Sequence, residues 1–314
     1  MVAEREVIDV DAAAAPSFGL ADELNEGASD WHAHRRHQLL YAAEGALTLE
    51  VADGQWLLPP QRAAWIPART RHRVVVRGRA ALRTVYLATR GARGVPTEVR
   101  VFALPALGRE LTLEAMRFTP DGRDGGAGGG AVGAGAGAAG AGVAAAALAA
   151  TFFTLYARLC AEWAAHAGPF RLPAARTAEL GRALAVILER LHSGRGQELT
   201  LPAVARATGL STRSLVRRFA DETGTSFRTF VQQARMLRAL ELLALPGARV
   251  GAVAGKLGFA SAGAFSHAFK LFAGETAKDY RKRQGAGAAT LRPSWCVLTR
   301  SALRKRRGAH AGPI

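Results

Sequence analysis

The sequence predicts a multidomain chain: an N-terminal all-β barrel, then a C-terminal all-α domain built on two similar helical units. Three observations carry this. Short apolar runs separated by turn dipeptides crowd residues 38–87, helical periodicity takes over from about residue 105, and a Gly turn followed by a Ser-capped helix occurs twice, at Ser211 and Ser261. With 314 residues, 49% of them hydrophobic, the chain is long enough for about two domains with real cores.

The β region reads strand by strand. Leu39-Leu40-Tyr41, Leu47 to Val51, Trp56-Leu57-Leu58, Ala64-Trp65-Ile66, Val74-Val75-Val76 and Leu82 to Leu87 are apolar or alternating runs. Glu44-Gly45, Asp53-Gly54, Pro59-Pro60 and Arg77-Gly78 separate them. Strands this short with turn chemistry between them form a small antiparallel barrel or sandwich, and Asp53-Gly54 is the strongest hairpin signal. Helical periodicity runs from Pro105 to Arg117 and resumes from about Ala145 to His166. Gly168-Pro169 and Pro173 break the chain, and from Thr177 compact turns separate helices. The expected organisation is a loosely ordered lead-in (1–30), the barrel (31–103) and a helical connector (104–176) with a low-complexity Gly/Ala insert at 121–150. The helical domain (177–283) and a basic, disordered tail (284–314) follow.

The net charge is +17 and unevenly placed. Residues 177–283 hold 17 Lys/Arg against 8 Asp/Glu, and residues 284–314 hold 6 basic residues and no acidic one. Positive charge concentrated on a helical segment points to a polyanion, and to nucleic acid over a membrane surface. Cys160 and Cys296 are the only cysteines, too few for a disulfide framework or a zinc cluster. With no basic and apolar leader at the N-terminus, the expected compartment is the cytoplasm. The uncharged stretch between Asp124 and Arg158 is long enough to span a bilayer on paper. Its first two-thirds are nearly all Gly and Ala, which supply little transfer free energy. A flexible insert followed by a soluble helix over Val143–Trp163 is therefore expected, with no membrane partner.

The first helical unit opens at Thr200, which caps a helix with Pro202 in its first turn. Gly209 supplies the turn, because only Gly enters the left-handed region cheaply. Leu210 packs inward and Ser211 caps a second helix from Thr212 to about Asp221. Leu215 and Phe219 face the core while Arg213 and Arg217 share another face. Gly224 ends it. Thr225 is expected to cap a helix of about 20 residues reaching Leu245, roughly 30 Å long and close to one DNA turn. The second unit repeats the plan: a helix over Val250–Leu257, Gly258, Phe259, Ser261, then a helix with Phe265, Phe269 and Phe272 inward. Gly274 closes it and Thr276 caps a last helix ending near Tyr280-Arg281. Two such units in the basic third of the chain are what insertion of two helices into successive major grooves requires.

The run Ala254-Gly255-Lys256-Leu257-Gly258-Phe259, through Ala264-Phe265-Ser266-His267-Ala268-Phe269-Lys270, to Gly274-Glu275-Thr276-Ala277-Lys278-Asp279-Tyr280-Arg281 resembles the signature of the AraC/XylS family of bacterial regulators. So does Leu210 to Phe219 with Thr223 to Phe227. Ala277 departs from a usual Pro, and Ala273 from a larger apolar residue. The resemblance implies a sequence-specific DNA-binding transcription regulator and places base reading on Thr212, Arg213, Val216 and Arg217, then Ala262, Gly263, Ser266 and His267. Arg213 and Arg217 suit guanine O6/N7, Arg218 and Lys270 suit phosphate, and the small Ala262 and Gly263 leave the second head to read through Ser266, His267 and shape.

Trp31-His32-Ala33-His34, then Gln38 and Gly45, followed by Pro67 to His72, resembles the two motifs of the cupins. Metal cupins use an H-x-H pair, a carboxylate and a distant His, since alternate residues on a strand share a face. His32, His34 and His72 match. Gln38 replaces the carboxylate, Arg69 replaces a turn Gly, and Arg69, Arg71 and Arg73 crowd the last His. A divalent metal on His32, His34 and His72 and a metal-free barrel binding a small molecule through His32, His34, Gln38, Trp65 and His72 both stay open, and His37 reads as a surface residue. The implied partners are double-stranded DNA, a small-molecule effector, RNA polymerase and a second copy of the chain. The competing class is a metal-dependent cupin enzyme with an accessory helical domain, and Gln38 argues against it.

Overall fold

The computed structural model describes residues 4–5, 9–122 and 137–290, apart from positions 53, 77, 91, 169 and 246. Asp53, Arg77, Pro169 and Pro246, the insert over 123–136, and the tail from 291 with Cys296 lie outside the described residues.

Two sheets make the N-terminal domain. The first runs in the order β1 (Glu4–Arg5), β3 (Gly27–Ser29), β8 (His72–Val76), β5 (Leu47–Val51), β6 (Gly54–Leu58), β11 (Arg171–Pro173). The second runs β10 (Arg100–Ala103), β7 (Arg62–Ile66), β4 (His37–Glu44), β9 (Ala80–Leu87), β2 (Phe18–Leu24). Pairing is antiparallel except between β1 and β3. All six expected strands form, and Val51 pairs with Gly54 across the expected hairpin.

The sheets differ in how they are covered. In the first, β5 alternates buried and half-buried residues, as a sheet wet on one side should. In the second, every residue of β7 and β9 is buried. Leu40, Ala64, Ile66 and Leu82 face the barrel interior, whereas Leu39, Tyr41, Trp65 and Val85 face a helical layer. That layer is α1 (Ala106–Glu114), a 3-10 turn at Ala115–Arg117, and α2 (Gly137–Ala164). The later half of α2 buries Phe153, Tyr156 and Cys160 against the sheet. By length and composition Val143–Ala164 could cross a membrane, yet here it serves as this cover.

Several expectations are corrected. Residues 18–29 are not part of a loosely ordered lead-in: β2 pairs along its whole length with β9, and β3 pairs with β8. Asp22 and Glu23 break the apolar pattern of β2 and hide it from periodicity. Arg36 fastens the segment before β2, donating to the carbonyls of Val10, Ala13, Ala15 and Pro16 and to Asp11. Within the connector, β10 and β11 are strands, the latter despite Pro173, because Pro173 ends an edge strand. The helix over the insert begins at Gly137, inside the stretch read as low complexity.

Among the described residues the C-terminal domain has seven α-helices: α3 (Ala178–His192), α4 (Leu201–Thr208), α5 (Thr212–Thr223), α6 (Phe227–Ala244), α7 (Val250–Lys256), α8 (Ala262–Ala273) and α9 (Ala277–Thr290). Their core gathers Leu215, Phe219 and Phe230 in one half, and Phe265, Phe269 and Tyr280 in the other. Ser226, not Thr225, caps α6, accepting from the Thr229 amide at 3.0 Å. Its 18 residues span about 27 Å at 1.5 Å each. α9 runs to Thr290 instead of stopping near Arg281, into residues read as disordered tail. Phe272 is only partly buried and meets Phe170 edge-on at 5.9 Å, which carries the core across to the barrel.

Gly258 has φ +76°, and a Cβ there would lie 2.3 Å from the carbonyl carbon of Gly196. Gly258→Ala should therefore lower unfolding free energy by at least about 1–3 kcal/mol, measured by urea denaturation. Wild-type stability in the variant would contradict this close approach.

Candidate functional site

The two helical units are built alike. In the first, the Thr200 hydroxyl accepts from Ala203 N at 3.3 Å, Gly209 turns the chain at φ +69°, and Leu210 N donates to Ala205 O at 3.0 Å. Ser211 then accepts from Ser214 N at 3.1 Å. In the second, Gly258 turns the chain, Phe259 N donates to Ala254 O at 3.0 Å, and Ser261 accepts from Ala264 N at 3.1 Å. α5 and α8 are capped alike, by Ser211 and Ser261 at their starts and by left-handed Gly224 and Gly274 at their ends. With Leu215 and Phe219, or Phe265 and Phe269, held inside, the opposite faces turn outward.

Thr212, Arg213, Val216 and Arg217 are exposed on α5, and Ala262, Gly263, His267 and Lys270 on α8, with Ser266 half-buried. Val216 is 48% exposed, a placement that burial does not explain. Among the described residues Arg213, Arg217, His267 and Lys270 have no hydrogen-bond or ion-pair partner. Arg218 differs. It donates to the Thr177 hydroxyl and to Glu222 and lies 3.9 Å from Glu179. Glu222 also accepts from the amides of Arg176 and Thr177. Arg218 thus ties α5 to the start of α3.

In the barrel, His32 and His72 pair across the strands, each amide donating to the other's carbonyl at 2.9 Å. Their rings lie 4.3 Å apart, with the His34 ring 5.3 Å from that of His72. Each Nδ1 faces a backbone carbonyl: His32 that of Asp30 at 2.9 Å, His34 that of Arg36 at 2.7 Å, His72 that of Thr70 at 2.8 Å. Donation from Nδ1 leaves the Nε2 of neutral His32 and His72 bare, whereas His34 Nε2 meets Gln38. The ligand atoms of the three lie within 4.8 Å of one another, and His72 Nε2 is buried with no partner. Gln38 sits 3.1 Å from His34 Nε2 and 3.3 Å from the Tyr86 hydroxyl. The amide oxygen of Gln38 faces His34 Nε2, and its NH2 donates to the Tyr86 hydroxyl. Tyr86 joins the site unforeseen, as one residue in a fully buried strand.

Two expectations fail here. Trp65 is not part of this cluster. It pairs with Leu39 on the outer face of the second sheet, donates to Pro96 O at 3.0 Å, and is stacked on His37 at 5.1 Å. His37 is accordingly half-buried, not a surface residue, and its Nδ1 accepts from Ala68 N at 3.1 Å. Arg69 takes the left-handed conformation of the glycine it replaces, φ +66°, with its amide on His34 O at 2.7 Å.

A second cluster, invisible to pattern reading, joins barrel and helices. Gln61 immediately precedes β7 and Arg62 begins it. The Gln61 side chain accepts from Arg283 at 2.9 Å, and Arg283 pairs with Glu275. The Arg62 guanidinium, 8% exposed, lies 3.8 Å from Glu275 and over the Phe170 ring. Glu275 and Arg283 flank the start of α9, so this clasp holds the second helical unit against the barrel.

Residues 204–283 match the model of a helix-turn-helix domain, and residues 23–87 that of a cupin domain. The second match begins within β2, in keeping with that segment being barrel. The chain is 29% identical over 270 residues to the HTH-type transcriptional regulator NimR of Escherichia coli (strain K12), spanning 86% of this chain and 88% of NimR. It is 32% identical over 140 residues to the HTH-type transcriptional regulator GlxA of Rhizobium meliloti (strain 1021), covering 42% of this chain but 43% of GlxA. A solved structure of a DNA-binding transcriptional dual regulator from Escherichia coli K-12 aligns at 26% identity and TM-score 0.32, over 36% of this chain and 97% of that one. Paired helix-turn-helix units following a cupin-like barrel define a sequence-specific DNA-binding transcription regulator. The chain carries the helix-turn-helix and cupin domains of such regulators and is similar over most of its length to one of them.

Burial holds the His72 imidazole down to about 3 from an ordinary 6.5, and lowers His34 and His37 by the same loss of hydration. Unfolded, these rings take up protons as pH falls through 6.5, while the folded state resists. Their contribution to stability is therefore complete above that value and is lost as pH drops toward 3. The melting temperature of the metal-free protein should fall between about pH 7 and pH 5, and less steeply in His72→Ala. An identical slope in the variant would remove His72 from the account.

Proposed function

We propose that the protein reads double-stranded DNA through α5 and α8 and that the barrel is its sensor, not an enzyme. The observation that carries this is the pair of identically capped helices whose outward faces are polar and uncommitted. Arg213 and Arg217 have the forked donors that match guanine O6/N7, and the exposed Val216 methyls suit a thymine methyl. Thr212 offers a hydroxyl to either. On α8, Ser266 and His267 supply the hydrogen-bonding groups, Ala262 and Gly263 allow close approach, and Lys270 meets phosphate. Arg218 is assigned to positioning α5 because its Nη1 is held by Thr177 and Glu222.

Three neutral imidazoles, each oriented by a carbonyl, fit a divalent metal such as zinc, and the orphaned Nε2 of His72 is the donor most in need of one. His32, His34 and His72 would hold the ion. When bound it would anchor an oxygen or nitrogen of a small effector. Gln38, a neutral amide, supplies no base, which favours sensing over catalysis. β7 runs from the clasp at Arg62 to Ile66, and the turn that follows donates Arg69 N to His34 O. One strand thus joins the histidines to the second head, the route by which occupancy would shift its placement. The family favours action in the cytoplasm through RNA polymerase, as activator, with a homodimer as the working form.

Selection from a random DNA library at about 150 mM salt should recover two elements about one turn apart. Arg217→Ala should degrade one element, at about 1–3 kcal/mol of discrimination; binding with no enriched motif in the wild type would defeat the reading. Titration of the metal-free protein with Zn2+ should show one site, lost in His72→Ala. In Arg62→Met the operator affinity should no longer respond to the metal. A response equal to wild type would leave the clasp without a role in coupling.

A further inference from the structure

On the far side of the second sheet from the histidines lies a cavity of about 370 Å3, between the early turns of α2, residues 14–17, the end of β9 and residues 118–122. Tyr86 belongs to the histidine cluster and its neighbour Leu87 to this cavity, because successive residues of a strand point to opposite faces. The floor is Leu87, Phe118, Phe153 and Ala157, all buried. The space has a structural cause. Phe153, Tyr156 and Cys160 hold α2 at a fixed height above the sheet. One and two turns earlier the same face carries Ala145, Ala146, Ala149 and Ala150, too small to fill the gap at that height.

The lining is mostly apolar and the space is half-open to solvent, with few polar partners for water on its floor. The volume falls in the range of roughly 300–1,000 Å3 typical of small-molecule pockets. The polar groups at its rim are unequal. Ser17 accepts from Ala88 N, Thr154 donates to Ala150 O, and Asp121 accepts from Thr119. Arg90 alone among the charged lining residues has no hydrogen-bond or ion-pair partner among the described residues. The one uncommitted charge at the mouth of an apolar cavity is therefore positive.

We propose that this cavity binds a small amphipathic monocarboxylate, its apolar body against Leu87, Phe118 and Phe153 and its carboxylate on the Arg90 guanidinium. This is a second ligand site, separate from the histidine cluster and independent of whether that cluster holds a metal. It also gives the Gly/Ala character of early α2 a purpose: small side chains there make room for a guest.

The test is calorimetric titration of the full chain with sodium decanoate below its micellar concentration, with decan-1-ol as the uncharged control. Saturable decanoate binding is expected in wild type and in His72→Ala. It should be weakened at least about tenfold in Arg90→Gln, the loss of one charge-assisted contact, and abolished in Ala149→Leu, which fills the cavity. Decan-1-ol should bind wild type and Arg90→Gln alike. No saturable binding to wild type, or equal decanoate binding to wild type and Arg90→Gln, would overturn the proposal. So would undiminished binding to a folded Ala149→Leu. If Ala149→Leu does not fold, the Arg90→Gln comparison decides alone, since Arg90 is exposed and outside the core. Loss of binding in His72→Ala would transfer the ligand to the histidine cluster.

Discussion

Strands β7 and β9 of the second sheet are dry on both faces, and much of the rest follows from that. A strand such as β7, buried at every residue, must have an apolar layer on each side. The barrel interior supplies one through Leu40, Ile66 and Leu82. The connector supplies the other by folding α1 and α2 across Leu39, Tyr41 and Trp65. The connector is therefore part of the N-terminal domain. The same constraint sorts the side chains of β4: Leu39 and Tyr41 turn to the helices, while Gln38 turns to the histidines.

Burial also explains the joint between the domains. Arg62 starts the dry strand and cannot reach water, so its charge is met by Glu275 and the face of Phe170. Glu275 is shared with Arg283, which in turn engages Gln61. A buried charge with one acidic partner is a demanding contact, because losing the partner leaves the charge stranded. The link is correspondingly specific: it selects one placement of α8 and α9 beside the barrel. Phe170 and Leu172, just before α3, extend the hydrophobic core through the joint.

The helix-turn-helix units depend on a different economy of means. Ser or Thr at the cap, Gly in the left-handed turn and apolar residues four apart are sufficient to define each unit locally, without help from the barrel. That independence leaves their outer faces free of structural duties, Arg218 excepted. It also makes them rigid presenters, so a change in DNA reading has to come from moving whole units. The clasp and α6 are the elements that set their placement.

The sequence alone determined what depends on neighbours in the chain. The six central strands, the seven helices of the C-terminal domain, the caps at Ser211 and Ser261 and the three-histidine pattern were all legible, because periodicity, capping and turn chemistry act over a few residues. Only the tertiary structure decided what depends on which face meets which. Strand β2 is polar enough to pass for a lead-in until β9 pairs with it. β11 is three residues that mean nothing without β6 beside them. Trp65 was expected to line the pocket with the histidines, yet one step of strand alternation sends it to the opposite face. Tyr86, the Arg62–Glu275 clasp and the cavity at Arg90 are formed by residues far apart in the chain. Their chemistry exists only where packing brings them together, and no local pattern records that.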